Sequence, residues 1–173
     1  MTNIVIEQLA KSDSVIIQGP PGTGKTFRIA SLCEKLCTEG YSVLVTALTN
    51  RALMEVAEKL KESLVKNKNV YKTNLSTDES KEVRGILNAE KMFSIPGKLM
   101  LSTFYISSGS AARNYQGPLF DYVIVDEASQ AFLTMLAAAN MLGKKNLWVG
   151  DVCQMPPIVK TSKDRIRKQS YEP

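Results

Sequence analysis

The chain has 173 residues, 44% of them hydrophobic, which is the size and composition of one globular domain and excludes a disordered or fibrous protein. Its 22 Lys and Arg against 17 Asp and Glu give a net charge of +5, which permits a polyanionic partner without requiring one. The absence of histidine excludes His-based acid/base catalysis and most zinc sites.

Cysteine content and hydropathy bear on where the protein works. The three cysteines are an odd number and no secretory signal is recognisable, so we expect an intracellular protein, in the first place a cytoplasmic one. No apolar run approaches the length of a membrane-spanning helix, and we therefore expect no membrane partner.

The first third of the chain alternates between strand and helix patterns. A short amphipathic segment over residues 4–9 precedes the apolar run 14–18, which predicts a buried parallel strand. Apolar spacing over 25–38 predicts a helix. A second strand is predicted over 42–46 and a second amphipathic helix over 51–64.

The segment between the first strand and its helix carries a phosphate-binding loop, since residues 19–26 fit the pattern G-x-x-x-x-G-K-[ST] at every fixed position. In this pattern the glycines let several backbone N–H groups turn toward one anion, the lysine reaches the β- and γ-phosphates, and the threonine hydroxyl binds Mg²⁺. The residues predicted to bind the nucleotide are Gly19, Pro20, Pro21, Gly22, Thr23, Gly24, Lys25, Thr26 and Phe27. The sequence therefore predicts ATP and Mg²⁺ as ligands, with the triphosphate at a helix N-terminus.

A pair of acidic residues supplies the second half of this site. Asp126 and Glu127 follow the apolar run 121–125, and an acid at the carboxyl end of a parallel strand is where a Mg²⁺ ligand lies in phosphate-loop folds. Asp126 is therefore predicted to hold the metal together with Thr26, and Glu127 to orient and deprotonate the attacking water. Surface carboxylates that cap the next helix are the alternative for this pair.

The rest of the chain continues the alternation. The predicted elements are a helix around 78–89 within a polar segment, strands over 99–104 and 121–125, a helix over 130–142 and a last strand over 146–149. Strands separated by helices imply right-handed crossovers, so we predict a P-loop NTPase domain of class α/β, with a mostly parallel sheet and helices on both faces. In such a sheet residues 19–26, Asp126 and Gln154 should meet at the carboxyl edge.

Taken together, the motifs resemble those of superfamily 1 helicases of the Upf-like branch. The matching segments are residues 19–26 for motif I, 43–51 for motif Ia, 101–103 for the strand end that touches the nucleic-acid backbone, 126–130 (Asp-Glu-Ala-Ser-Gln) for motif II, and 149–157 for motif III, where Met155 replaces the usual Leu before Pro156-Pro157. The resemblance covers nearly the whole chain, in the order that the family shows.

This resemblance implies that residues 1–160 are the first RecA-like ATPase domain of a helicase, with 66–98 as a short insertion and 161–173 as a polar tail or linker. It also implies that Gln154 contacts the γ-phosphate and acts in catalysis beside Lys25 and Glu127. The residues implied to contact single-stranded DNA or RNA are Thr46, Thr49, Asn50, Ser102 and Thr103. Turn and cap chemistry is the alternative for these side chains.

In this family a second RecA-like domain carries the arginine finger, so we expect this chain to be a fragment of a monomeric ATP-dependent helicase and poorly active alone. Neither Gln8 nor Gln18 matches the family's adenine-reading Gln, which leaves base selectivity open. Two other interpretations stay open, namely an AAA+ or other stand-alone P-loop NTPase, and a nucleotide-binding module without turnover. The long separation of Lys25 from Asp126 disfavours AAA+, and the intact acidic pair disfavours a module without turnover.

Overall fold

The computed structural model describes residues 2–20, 22–60, 62–113 and 116–154. The helices in them are α1 (Thr2–Lys11), α2 (Lys25–Thr38), α3 (Asn50–Glu58), α4 (Glu62–Lys66), α5 (Thr77–Glu82), α6 (Phe104–Arg113) and α7 (Leu133–Leu142). The strands are β1 (Ser14–Gln18), β2 (Val43–Ala47), β3 (Val70–Thr73), β4 (Leu87–Ala89), β5 (Leu99–Thr103), β6 (Phe120–Val125) and β7 (Gly143–Gly150). A short 3-10 helix, Ala128–Gln130, lies between β6 and α7.

The strands of the described residues form one sheet of seven, in the order β1-β7-β6-β2-β5-β3-β4. Every neighbouring pair is parallel. All strands therefore end at the same edge of the sheet, and the loops that follow them meet there. The predicted α/β class with a parallel sheet is confirmed.

Helices cover both faces of this sheet. On one face α2 and α3 bury Leu36 and Leu53 against Val45, and on the other α6 and α7 bury Phe104 and Leu142. Every residue of β2 is buried, because alternate side chains enter the two layers of core. No helix of the described residues is both long and apolar enough to cross a membrane.

The elements around the phosphate-binding loop begin and end where the sequence predicts, but the predicted helix over 51–64 is two helices. The amides of Lys59 and Leu60 donate to the carbonyls three residues back, at 3.1 and 3.2 Å, and these tight turns end α3. Apolar spacing does not reveal the break, because Leu60 within it and Leu64 beyond it are both buried.

The polar segment 66–98 contributes two strands to the main sheet. β3 pairs with β5, and β4 pairs with β3, so this segment forms the far edge of the sheet. The helix predicted around 78–89 is wrong beyond Glu82. Gly85 there has a φ of 102°, a left-handed conformation that breaks a helix, and β4 follows it.

Two further differences concern the carboxyl half. The strand predicted over 99–104 ends one residue earlier, and α6, which the sequence does not predict, begins at once; its Ser- and Gly-rich sequence is helical because Phe104, Ser107 and Ala111 are buried against the sheet. β7 runs from Gly143 to Gly150, longer than the predicted 146–149, because it pairs with β6 on one side and β1 on the other.

Candidate nucleotide-binding site

The phosphate-binding loop turns sharply between β1 and α2. Gly22 and Gly24 have φ angles of 78° and 75°, in the left-handed region that residues with a Cβ rarely adopt. Gly24 is also the N-cap of α2, and it brings no side chain to accept from the first N–H groups of the helix. These N–H groups and the positive end of the helix dipole form an anion site.

Lys25 folds back over this loop. Its Nζ donates to the carbonyl oxygens of Gly19 at 2.6 Å and Pro20 at 3.0 Å. The Thr23 hydroxyl also donates to the Pro20 carbonyl, at 2.8 Å, which braces the turn. Phosphate oxygens bind an ammonium group more strongly than neutral carbonyls do, so this lysine is placed to exchange one for the other. Pro21 lies outside the described residues.

Thr26 and Phe27 occupy the first turn of α2. Thr26 is half-buried beside the loop, whereas the Phe27 side chain is 64% exposed. An exposed ring next to a phosphate site offers a surface on which a base can stack. That contact with the nucleotide stays a prediction.

Asp126 immediately follows β6 at the same edge of the sheet. Its amide donates to the Thr46 carbonyl at 2.9 Å, which fixes the loop after β6 to the end of β2. The residue is 6% exposed, and burial raises the pKa of its carboxyl from 3.8 to about 6. The amide of Glu127, which donates to Oδ1 at 2.9 Å, and the charge of Lys25 oppose that rise.

Glu127 is held in an unusual backbone conformation, with φ at 55°. A non-glycine residue at positive φ is uncommon and is found disproportionately at active sites. Its Oε2 is buried and has no hydrogen-bond partner among the described residues. Burial first, and the nearby charge of Glu55 second, raise the pKa of this carboxyl, which moves it toward the range of a general base at neutral pH.

These oxygens suit a magnesium ion that is also held by phosphates. Mg²⁺ prefers hard oxygen ligands and usually takes only one or two from the protein, the rest being water and phosphate oxygens. The Asp126 carboxylate and the Thr26 hydroxyl are a set of that kind. Among the described residues no group of three or more His, Cys, Asp or Glu could hold a metal by itself.

Gln154 lies in the loop after β7, and that loop is tied to both of its neighbours. The Gly19 amide donates to the Gly150 carbonyl at 3.1 Å, which joins the start of the phosphate-binding loop to the end of β7. On the other side, Gln130 Nε2 donates to Gln154 Oε1 at 2.8 Å. The order of the strands thus brings residues 19–26, Asp126 and Gln154 to one edge of the sheet, as predicted. Met155, Pro156 and Pro157 lie outside the described residues, as does the predicted tail 161–173.

The five residues predicted to contact nucleic acid separate into two groups. Thr46 and Ser102 are 0% exposed, and their hydroxyls are hydrogen-bonded inside the protein, to Ser107 at 3.0 Å and to Thr73 at 2.9 Å. Their side chains present no surface to a ligand in this structure, because neighbouring strands place both inside the core. Thr49 and Asn50 are exposed at the start of α3, and Thr103 is half-buried. For these three residues, contact with nucleic acid stays a prediction.

Sequence reasoning did not single out Glu55, whose charge acts on both acids of the site. It lies on α3 and raises the pKa of Asp126 and of Glu127, while Arg51 pairs with it at 3.1 Å. A glutamate on an amphipathic helix gives no local signal of such a role, because only the packing of α3 against β2, the neighbour of β6 in the sheet, brings it there.

Comparison with known proteins identifies relatives of this fold and site. The family described as an AAA domain matches residues 2–160. The chain is 30% identical over 159 residues to the DNA replication ATP-dependent helicase/nuclease DNA2 of Saccharomyces cerevisiae, with 89% of this chain covered. It is 32% identical over 167 residues to the DNA2 of Xenopus laevis, with 91% covered. The chain spans only 10% and 16% of the length of these two relatives.

A solved structure confirms the fold. The Type ISP restriction-modification enzyme LlaGI, studied as a nuclease-deletion mutant in complex with a DNA substrate mimic, superposes with a TM-score of 0.58 at 14% identity. The alignment covers 98% of this chain and 20% of that one. At this identity the likeness establishes the arrangement of helices and strands alone.

Proposed function

Because this chain belongs to the AAA domain family and is a RecA-like domain similar to superfamily 1 helicases such as DNA2, we propose that it binds and hydrolyses ATP to drive movement on nucleic acid. The observation that carries the proposal is the assembly of one site from three loops. The phosphate-binding loop, the acids after β6 and the glutamine loop after β7 all meet at the carboxyl edge of the sheet.

In this proposal the nucleotide phosphates lie on the N-terminus of α2. The backbone N–H groups around Gly22 and Gly24 bind the phosphate oxygens, and Lys25 moves its ammonium group from the Gly19 and Pro20 carbonyls to the β- and γ-phosphates. Thr26 and Asp126 would hold Mg²⁺. When bound, the ion supplies positive charge that offsets the charge of the phosphates.

Glu127 is the proposed general base. Its Oε2 is buried without a partner among the described residues, so it is available to accept a hydrogen bond from the attacking water. The raised pKa of its carboxyl strengthens it as a proton acceptor. Gln154 is proposed to contact the γ-phosphate from the neighbouring loop.

The proposed partner is a single strand of DNA or RNA that crosses the carboxyl edge near Thr49, Asn50 and Thr103. Short hydroxyl and amide side chains suit hydrogen bonds to a phosphate backbone, which carry no sequence information. In support, the similar DNA2 proteins are named as DNA replication helicase/nucleases. A second RecA-like domain, a monomeric state and an intracellular location belong to the same proposal.

The nucleotide part is tested by calorimetric titration of the 173-residue chain with Mg-ADP and with Mg-AMP-PNP, a triphosphate analogue that resists hydrolysis. Lys25→Ala should weaken the analogue about ten- to a hundredfold, because charge-assisted hydrogen bonds to the phosphates are lost. Lys11→Ala, at the exposed end of α1, is the matched control and should bind as the wild type does. Equal affinities for the wild type and Lys25→Ala would overturn the proposed site.

The nucleic-acid part is tested by fluorescence anisotropy with a labelled single-stranded oligonucleotide at several salt concentrations. A surface that meets few phosphates should bind weakly, without sequence preference, and with a shallow dependence on salt. A strong preference for one sequence, or for duplex over single strands, would contradict the proposal.

A further inference from the structure

The turn after β6 and the loop after β7 are joined directly to each other. The amide of Asp151 donates to Ser129 Oγ at 3.2 Å, and Gln130 Nε2 donates to Gln154 Oε1 at 2.8 Å. A Cβ added at Gly150 would lie 3.0 Å from the Ser129 amide, so the glycine allows the two segments to approach this closely. The contact therefore connects the residues that follow Asp126 and Glu127 to Gln154.

The direction of the Gln130–Gln154 hydrogen bond determines which end of the Gln154 amide is left for a ligand. A glutamine amide has an accepting oxygen at one end and a donating NH₂ group at the other. Because Gln130 donates to the oxygen of Gln154, the NH₂ group of Gln154 is the end that remains for a further partner. A phosphate at neutral pH mainly accepts hydrogen bonds, so this is the end it needs.

Gln130 is itself fixed close to Glu127. Its amide donates to the Glu127 carbonyl at 2.9 Å within the 3-10 turn, and its side chain is half-buried between the two loops. The side chain that orients Gln154 is thus anchored to the residue proposed as general base. Any shift of this turn moves both groups together.

We propose that Gln130 is a positioning residue that fixes the Gln154 amide with its NH₂ group toward the γ-phosphate, and so allows the site to distinguish a nucleoside triphosphate from a diphosphate. The proposal rests on the function proposed above, and it assigns to Gln130 no contact with the nucleotide.

The test measures the affinities of the 173-residue chain for Mg-AMP-PNP and Mg-ADP, and takes their ratio. Gln130→Leu removes the donor at similar volume, and Gln130→Glu replaces it by an acceptor of nearly the same shape, which would force the Gln154 amide to turn round. Each is also made in a Gln154→Leu background. Gln116→Leu, in the exposed loop after α6, is the matched control, and thermal unfolding checks that each variant is folded.

We expect Gln130→Leu to weaken AMP-PNP between about twofold and tenfold, the effect of one hydrogen bond, with ADP unchanged. Gln130→Glu should weaken AMP-PNP more than Gln130→Leu does, and part of that excess should remain in the Gln154→Leu background as the effect of its charge. Gln130→Leu should have no effect in that background. If Gln130→Leu does not fold, the comparison of Gln130→Glu with and without Gln154 decides the matter.

Three results would overturn the inference and leave the proposed function intact. They are an equal weakening of ADP and AMP-PNP, which indicates a merely structural role, no change in either affinity, and an equal effect of Gln130→Leu with and without Gln154. If the folded wild type binds neither nucleotide, the proposed function fails and the inference fails with it.

Discussion

Asp126 is almost completely removed from water at the end of β6, and that position is unfavourable for its charge. Burial raises the pKa of its carboxyl from 3.8 to about 6. The folded protein therefore binds a proton at this carboxyl more tightly than the unfolded chain does. Ionising the carboxyl therefore opposes folding, fully above pH 6 and hardly at all below the ordinary pKa of 3.8. Functional residues are often kept at the expense of stability, as proposed here for Asp126 as a ligand of Mg²⁺.

Replacing Asp126 by Asn should stabilise the nucleotide-free chain. The isosteric amide can still accept the hydrogen bond from the Glu127 amide but carries no charge, so the free energy of unfolding should rise by about 2 to 3 kcal/mol at pH 7.5. The gain should shrink as the pH falls through 6 toward 4, where the wild-type carboxyl is protonated as well. Urea unfolding at pH 7.5 and at pH 4 measures this gain in stability. Asp78→Asn, on the exposed surface of α5, is the control. A variant that is less stable than the wild type at pH 7.5 would contradict this account.

Ser102 tests the division of the predicted nucleic-acid contacts into buried and exposed residues. Ser102→Ala leaves the Thr73 hydroxyl without its partner in the core, so it should lower the free energy of unfolding by about 1 kcal/mol and leave single-strand affinity unchanged. Thr103→Ala, one residue further toward the surface, should instead weaken binding of a single-stranded oligonucleotide. Urea unfolding and fluorescence anisotropy separate the two effects. Weaker strand binding in Ser102→Ala at unchanged stability would show that this hydroxyl reaches the ligand.

At the scale of elements, the sequence predicts best where the signal is local. β1 and α2 have the predicted bounds, because an apolar run, a glycine-rich turn and a helical repeat follow one another without a gap. β4 and α6 could not be predicted, since neither has a strand or helix pattern in its own sequence. The three residues of β4 form a strand because β3 lies beside them, and α6 is a helix because the sheet buries one of its faces.

The site follows the same division. The phosphate-binding loop and the acid pair Asp126 and Glu127 were predictable, since each follows a strand whose apolar run is visible in the sequence. The burial of Thr46 and Ser102 could not be predicted from the sequence, because it depends on the register that pairs these two residues across β2 and β5. The approach of Gln130 to Gln154 depends likewise on the packing of two loops.

α5 is held to β3 by a buried ion pair. Lys72 is 0% exposed, and its Nζ donates to Glu79 Oε2 at 3.1 Å. Glu79 also closes a capping box with Ser76 at the start of α5. Burial works against the carboxylate, but the hydrogen bonds from Ser76 and Lys72 and the charge of Lys72 lower its pKa overall.

Glu79→Gln should destabilise the chain by about 3 kcal/mol at pH 7. Glutamine can still close the capping box, but it leaves the Lys72 charge buried without a counter-charge. Because the folded-state pKa of Glu79 is lowered, the pair stabilises the protein above the ordinary pKa of 4.5, and this contribution disappears at lower pH as the carboxyl is protonated. Glu82→Gln, which removes an exposed partner of Arg51, is the control and should change stability far less, because solvent screens an exposed ion pair. Equal effects of the two substitutions in urea unfolding would contradict the assignment.

At the scale of the whole molecule, the order of the strands brings the chemistry together. β7 lies between β1 and β6, so the glutamine loop is between the phosphate-binding loop and the acids. β2 and β5 follow on the other side of β6, and the residues proposed to meet nucleic acid lie at or just after the carboxyl ends of these two strands. The candidate nucleotide site and the proposed nucleic-acid contacts thus lie side by side at one edge of the sheet. In this arrangement hydrolysis can alter the affinity for a single strand of nucleic acid.

The same arrangement limits what the 173-residue chain should achieve alone. Phosphoryl transfer depends on positioning and on charge at the γ-phosphate, for which the proposed contributions of this chain are Lys25, the Mg²⁺ ligands Thr26 and Asp126, and the base Glu127. The resemblance to superfamily 1 helicases implies that an arginine finger comes from a second RecA-like domain, and such fingers are worth on the order of a thousandfold or more in rate. We therefore expect these 173 residues to bind nucleotide but to hydrolyse it slowly, with little stimulation by single strands and no unwinding.

A steady-state ATPase assay on the 173-residue chain, with and without a single-stranded oligonucleotide, measures this limit. Joining a second RecA-like domain in cis should raise turnover by roughly a thousandfold and make it depend on the strand, because the missing positive charge then reaches the γ-phosphate. Glu127→Gln should abolish the turnover of both proteins, which identifies it as chemistry at this site. Rapid turnover by the 173 residues alone that is stimulated by nucleic acid and lost in Glu127→Gln would mean that the charge comes from within this domain, and that a second domain serves movement along the strand but not catalysis.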